Sequence, residues 1–179
     1  KEEYLLTGSL EPTNQWYAIA KISGIMACQA AKKQFGLNAI SLMPTNLYGD
    51  NDNFDLKSSH VLPAMIRKFD DAKKNNHKMV TLWGSGTPFR EFLHVDDMAR
   101  AVVFCIENEL EDEIYNVGYG SDISIKELAL MIQRTVGHKG DLIWDSSKPD
   151  GTPKKLMDSS KLNKSGWCPE IKLKDGISR

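Results

Sequence analysis

One stretch limits more than any other what this chain can fold into. It is a helix-periodic run from Trp16 to about Phe35, then a glycine, then the short apolar run Ala39-Ile40-Ser41-Leu42-Met43. Ala18, Ile22, Ile25, Met26 and Cys28 supply apolar faces, and Ala20, Ala27, Ala30 and Ala31 favour helix. Lys32 and Lys33 fall in the last turn, where the helix dipole favours cations, and Gly36 suits the position just past the end. The five residues from Ala39 are of strand length, and Pro44-Thr45-Asn46-Leu47-Tyr48-Gly49 reads as the turn at their carboxyl end. Helix, short loop, strand, loop is the rhythm of an α/β fold with a parallel sheet. In such sheets ligands bind beyond the carboxyl ends of the strands, which puts Thr45 and Asn46 where a ligand would lie. Ordinary turn chemistry accounts for both residues equally well.

Tyr17 and Lys21 lie four apart at the start of the helix. Four residues turn a helix through about 400°, so the two side chains point the same way, roughly 40° apart. A free phenol titrates near pH ~10 and is a poor proton donor at neutrality; a nearby ammonium favours the phenolate. Such a tyrosine can protonate a carbonyl oxygen as a hydride reaches its carbon. Tyr-x-x-x-Lys also arises by chance on surface helices, so the pair needs company to mean chemistry.

The α/β rhythm continues. Asp50 to Ser59 is polar and turn-like, and His60-Val61-Leu62-Pro63 opens a helix to about Lys74, with Pro63 tolerated in the first turn. Met79–Trp83 reads as a strand, Gly84–Pro88 as a tight loop and Phe89–His94 as extended. Val95–Asn108 is helical with Asp96 and Asp97 in its first turn, and Ile114–Val117 is a strand. Ser124-Ile125-Lys126-Glu127 is a capping box that starts a helix to Val136, closed by Gly137. A strand at Asp141–Trp144, a Pro/Gly/Lys loop at Lys148–Lys155 and a short helix at Asp158–Lys164 follow.

Composition narrows the function classes. A formal net charge of -1 gives no global field for nucleic acid or anionic membrane. No apolar run approaches the roughly 18 residues of a membrane span. Cys28, Cys105 and Cys168 are far apart and form no Cys-x-x-Cys pair, which supports neither a disulfide framework nor a zinc site and makes a reducing, cytoplasmic setting the default. Two glycine clusters fail as dinucleotide loops. Gly84-Ser85-Gly86 is followed by Pro88 and an extended run rather than a helix. Gly118-Tyr119-Gly120 has Ile123 where the third glycine belongs.

Together these motifs resemble the extended short-chain dehydrogenase/reductase family over nearly the whole chain. The resemblance rests on Leu10–Asn14, Tyr17–Lys21, Met43–Gly49, Asp52-Asn53-Phe54, Ser59–Ala64, Trp83–Pro88, Arg90–Met98 and Lys148–Pro153. Tyr-x-x-x-Lys and Arg-Glu-Phe runs are shared across sugar-nucleotide enzymes. The Asp52–His60 stretch and the Lys148–Pro153 loop point more narrowly, to the branch that converts GDP-4-keto-6-deoxy-D-mannose to GDP-L-fucose by 3,5-epimerisation and NADPH-dependent reduction at C4. The family's glycine-rich NADP loop and its catalytic serine and cysteine lie upstream of the tyrosine, and its last helix lies beyond this chain's end. The resemblance therefore implies the carboxyl-terminal part of such an enzyme: residues 1–50 from a Rossmann-type doubly wound sheet, and 51–179 mainly a smaller α/β substrate-binding lobe, with about 92–117 crossing back.

The resemblance also implies roles. Tyr17, Lys21 and His60 are the catalytic residues. The NADP(H) contacts are Tyr17, Lys21, Pro44, Thr45, Asn46, Leu47 and His60. The GDP-sugar contacts are Asn46, Lys68, Trp83, Arg90 and Asp150. No metal is expected. His60 would move protons at the sugar carbons beside the C4 ketone, which suits an imidazole with its ordinary pKa near ~6.5. Arg90 can bond two diphosphate oxygens at once. Family members pair as homodimers through the Tyr-x-x-x-Lys helix, here Trp16–Phe35. Cys28 and Cys105 match no family cysteine and read as core. Two alternatives stay open: an NAD-dependent sugar-nucleotide 4-epimerase or 4,6-dehydratase, and a nucleotide-sugar binding module without turnover.

Overall fold

The fold was read from a computed structural model, which describes residues 1–110 and 113–179. After a 3-10 turn at Glu2–Tyr4, helix α1 spans Gln15–Phe35 and ends where predicted, with Gly36 at φ 68° and its N–H donating to the Lys32 carbonyl. The chain then forms strand β1 (Ser41–Pro44), paired in parallel with β5 (Ile114–Val117), Pro44 opposite Val117. The parallel pairing was expected, and its first strand is shifted about two residues from the predicted Ala39 start; the expected packing of α1 on this sheet does not appear among the main contacts of the described elements.

The residues read as a turn after β1 are partly strand. Asn46–Tyr48 forms β2, which pairs in parallel not with the β1 sheet but with Phe92–His94 of β4 (Phe89–His94). The chain leaves one sheet for another at Thr45. A three-residue strand whose partner lies some 46 positions on leaves no local period to read.

The second half is a tightly packed α/β lobe. Helix α2 (Val61–Lys74) packs on strand β3 (Met79–Trp83) and on α4 (Ile125–Val136), and β3 pairs in parallel with β7 (Asp141–Asp145). Phe69, Leu128, Ala129 and Ile132 are fully buried between these layers, with Leu62, Met65, Val80 and Leu82 close to it. The capping box at the start of α4 forms as read: Ser124 Oγ accepts the Glu127 N–H at 3.1 Å, and Glu127 Oε2 accepts the Ser124 N–H at 3.1 Å. Two short strands unseen in the sequence, β6 (Asp122–Ser124) and β8 (Lys154–Lys155), flank β4.

A second core gathers Leu93, Ala101, Tyr115, Val117, Leu162 and Trp167, from β4, β5, helix α3 (Val95–Glu107) and helix α5 (Ser160–Lys164) with the turn after it. Asp97 of α3 is fully buried and accepts the N–H groups of Glu170 and Ile171 and a bond from Arg100, which ties the last segment and its short helix α6 (Leu173–Ile177) to the body. The three cysteines are free; Cys105 packs against this second core, Cys28 is half-buried and Cys168 is exposed.

Helix α1 differs from the rest. None of its residues is buried. Gln15, Ala18, Ile22, Ile25 and Cys28 make a half-buried stripe, while Trp16, Ile19 and Met26 face outward. Among the described residues no helix is long and apolar enough to cross a membrane.

Candidate active site

The start of α1 and the carboxyl end of β1 each carry candidate residues. Lys21 Nζ stands 5.4 Å from the centroid of the Tyr17 ring, as the four-residue spacing requires, and Tyr17 is 61% exposed. Pro44 closes β1, and Thr45 sits at the fork between the two sheets, its N–H donating to the Val117 carbonyl at 3.0 Å. Thr45 Oγ1 and Asn46 Nδ2 both donate to the Glu91 carbonyl, at 3.2 and 2.8 Å. Pro44 and Asn46 remain exposed, and Leu47 packs against the second core. A fork between parallel strands at their carboxyl ends is the topological place for a ligand.

Glu91 is the residue that motif reading left without a role. It is fully buried, and its carboxylate accepts the Gly120 N–H at 2.7 Å and the Met157 N–H at 3.2 Å. A side chain on Gly118 would run into that carboxylate. The Gly118-Tyr119-Gly120 turn is therefore shaped around Glu91. Its carboxylate and carbonyl together hold three segments at the fork. A buried glutamate in a motif next to an arginine was the available signal.

The second set lies at the ends of β3 and β7. Trp83 is the last residue of β3 and is 69% exposed, which excludes core packing. Lys68, from α2, donates to the Thr81 carbonyl at 3.2 Å and stands 6.0 Å from the Trp83 ring centroid; burial lowers the pKa of its ammonium. Arg90 on β4 is half-buried and donates to the Phe89 carbonyl, and burial lowers its pKa as well. Asp150 accepts the Ser85 N–H and the Ser85 hydroxyl, each at 2.7 Å, on its two oxygens, and these bonds hold its carboxyl below the usual range. Gly84, at φ 79°, leaves no room for a side chain against Asp150. The Gly84-Ser85-Gly86 cluster is thus a clamp that fastens the Lys148–Pro153 loop to the end of β3, as its failure to open a helix required.

His60 occupies the position before α2, exposed, with no side-chain bond to the helix start. No metal centre emerges: among the described residues no three His, Cys, Asp or Glu side chains are grouped to hold an ion.

This geometry has known counterparts. The family model described as NAD dependent epimerase/dehydratase family matches residues 1–118. The chain belongs to that family. As an epimerase/dehydratase family member it is 60% identical over 178 residues to the Arabidopsis thaliana protein named Putative GDP-L-fucose synthase 2, covering 99% of this chain and 54% of that one. To the GDP-L-fucose synthase of Escherichia coli K12 it is 50% identical over 188 residues, covering 99% of this chain and 58% of that one. Among solved structures, a GDP-L-fucose synthetase from Naegleria fowleri bound to NADP superposes with a TM-score of 0.90 at 28% identity, over 99% of this chain and 58% of the other. The chain spans about half the length of the curated relatives it matches.

Proposed function

We propose that the full-length protein makes GDP-L-fucose, inverting C3 and C5 of GDP-4-keto-6-deoxy-D-mannose and then reducing C4 with NADPH. The observation that carries this reading is the 60% identity to a protein named as a GDP-L-fucose synthase, extending over 99% of the chain and so across both sets of site residues. The residues suit the cofactor: a phenol and an ammonium on one face of α1, and, at the fork, exposed Pro44 and Asn46, with Thr45 between the strands and Leu47 within β2. Residues 1–50 then belong to the NADP-binding domain and 51–179 mainly to the substrate lobe. The pairings β2–β4 and β1–β5 support a return of about 92–117 to the first.

NADPH, when bound, supplies the hydride for C4. Tyr17 hydrogen-bonds the C4 oxygen, which stabilises enolate charge during epimerisation and afterwards protonates the alkoxide. Lys21, on the same face of α1 as Tyr17, would hold the ribose of the cofactor. His60 gives and takes protons at the carbons beside the ketone, a task for a solvent-accessible imidazole with no bond to the helix start. Lys68, Trp83 and Arg90 hold the GDP moiety, and Asp150 serves it by clamping the loop through Ser85. A homodimer through α1 is supported by its outward face, where Trp16, Ile19 and Met26 alternate with Ala20, Ala27 and Ala30, small enough for close helix approach.

The test is direct. The full-length protein, given GDP-4-keto-6-deoxy-D-mannose and NADPH, should consume one NADPH per GDP-L-fucose formed, followed by absorbance at 340 nm and NMR of the sugar. Cofactor recycling without net consumption would point to a 4-epimerase or dehydratase, and binding without turnover to a non-catalytic module.

A further inference from the structure

Lys148 has no part in the reading above. It follows the end of β7, exposed, and its Nζ lies 5.7 Å from the centroid of the Trp83 ring. Lys68 Nζ lies 6.0 Å from the same centroid. The loop that carries Lys148 also reaches Arg90: a side chain on Gly151 would come within 3.6 Å of the Arg90 guanidinium. Two ammonium groups from two elements thus stand by one exposed indole, at the edge where the parallel strands β3 and β7 both end, and the loop that carries one of them also meets Arg90.

Among the described residues the neighbouring carboxylates form no direct ion pair with them, although Asp145 and Lys148 attract each other electrostatically. Asp150 spends both oxygens on Ser85, and Asp145 Oδ1 accepts from the Ser147 N–H and hydroxyl. Arg67, Lys74, Arg100, Lys154 and Arg179 all have carboxylate partners, whereas among the described residues Lys68, Arg90 and Lys148 form no ion pair. Unpaired positive charge beside an aromatic face matches a ligand with a flat ring at one end and an anion at the other. A nucleoside diphosphate is such a ligand.

We propose that Lys148 is a nucleotide-binding residue of this protein, its ammonium facing the diphosphate of a nucleotide sugar laid against Trp83. An ammonium carries three donors and no acceptor, so it gains from phosphate oxygens and cannot serve a donor edge. Lys68 and Lys148 both stand within about 6 Å of the indole, and Arg90 lies against the loop that carries Lys148. The Asp150–Ser85 clamp gives the Lys148 loop a fixed place relative to Trp83, so the ammonium is held near the site before the ligand arrives. This inference rests on the placement of the GDP moiety proposed above.

Calorimetric titration of the full-length protein with GDP, and separately with guanosine, tests it. Lys148→Gln should weaken GDP binding about tenfold or more, the scale of one charge-assisted contact. Guanosine binding should be unchanged, and Lys148→Arg should stay within about twofold of the parent for both. Wild-type GDP affinity in Lys148→Gln, with loss of affinity in Arg90→Gln, would overturn the role of Lys148 and leave the site reading standing. Equal weakening of GDP and guanosine by Lys148→Gln would show that the ammonium acts on the ring, and overturn the diphosphate assignment. No GDP binding by the parent protein, or none lost in Arg90→Gln, would remove the site reading and this inference with it.

Discussion

The two regions of the molecule that carry candidate chemistry are built on opposite principles. The lobe around α2, α4, β3 and β7 closes its own core: Phe69, Leu128 and Ile132 are fully buried, and its site residues stand on the rim of that core. Helix α1 carries the proposed acid and its lysine yet buries none of its residues. In the lobe, packing and binding are separable, because Trp83 and Lys148 are exposed while the layer beneath them is not. On α1 the chemistry sits on an element that buries none of its own residues, and which a second copy of α1 would meet in the proposed dimer. Mutations should therefore divide, changes at exposed site residues acting on rate or binding and changes in the buried layer of the lobe on stability.

The largest effect should come from α1. Tyr17→Phe in the full-length protein removes the proton donor and should slow NADPH oxidation by about 10²–10⁴-fold, the usual cost of losing one general acid. Its thermal unfolding should not move, because an exposed hydroxyl that bonds to none of the described residues is all that is lost. His60→Asn should spare hydride transfer to a pre-epimerised sugar yet abolish exchange of the C3 and C5 hydrogens with deuterated water, read by mass and NMR. A Tyr17→Phe protein that unfolds earlier, or one that oxidises NADPH at the parent rate, would break the comparison on the α1 side.

Phe69→Ala should be the counterpart in the lobe. Truncating a fully buried phenylalanine costs about 3–5 kcal/mol through lost burial and the cavity left behind. Urea midpoints should fall accordingly, while the rate per folded molecule stays near the parent value. Glu91→Gln comes next, at about 1–3 kcal/mol, since an amide nitrogen in place of one carboxylate oxygen faces a backbone N–H instead of accepting from it. Because Glu91 also braces the fork, this variant should raise the KM for NADPH more than that for the GDP-sugar. Equal changes in both would assign Glu91 to general stability alone.

How much of this was legible beforehand depended on the range of the signal. The end of α1 at Gly36, the opening of α2 before Pro63, strands β3 and β5, and the capping box of α4 are written in residues a turn or two apart, and all appeared where read. The Tyr17–Lys21 pairing is likewise a matter of helical pitch. What escaped was set by distant partners. β2 exists because β4 lies beside it, Gly118 is needed because Glu91 fills the space where a side chain would go, and Asp150 is occupied because Ser85 meets it across 65 residues. The exposure of α1 escaped for the same reason, since an alanine-rich helix reads alike whether or not another surface covers it.

The smallest predicted effect tests the local end of that scale. Ser124 caps α4, and its hydroxyl both accepts the Glu127 N–H and donates to Glu127 Oε2 at 2.6 Å. Ser124→Ala should cost about 1 kcal/mol, as N-cap losses do. The bonds from the Ser124 hydroxyl and N–H hold the Glu127 carboxyl below the usual range. A carboxyl whose folded pKa is depressed adds stability that is fully present above its unfolded value of about 4.3 and is lost as pH falls through the folded value. At pH 7 the parent has both the cap and this ionic contribution, and the variant keeps only the bond from the Ser124 N–H. Below about pH 4 the contribution from Glu127 fades in the parent, so the gap between parent and variant should narrow. Urea titrations of both proteins at pH 7 and again near the acid end of their folded range would measure it. A gap that stays constant would mean the hydroxyl stabilises α4 through the Glu127 N–H alone, and that the carboxylate half of the box contributes nothing.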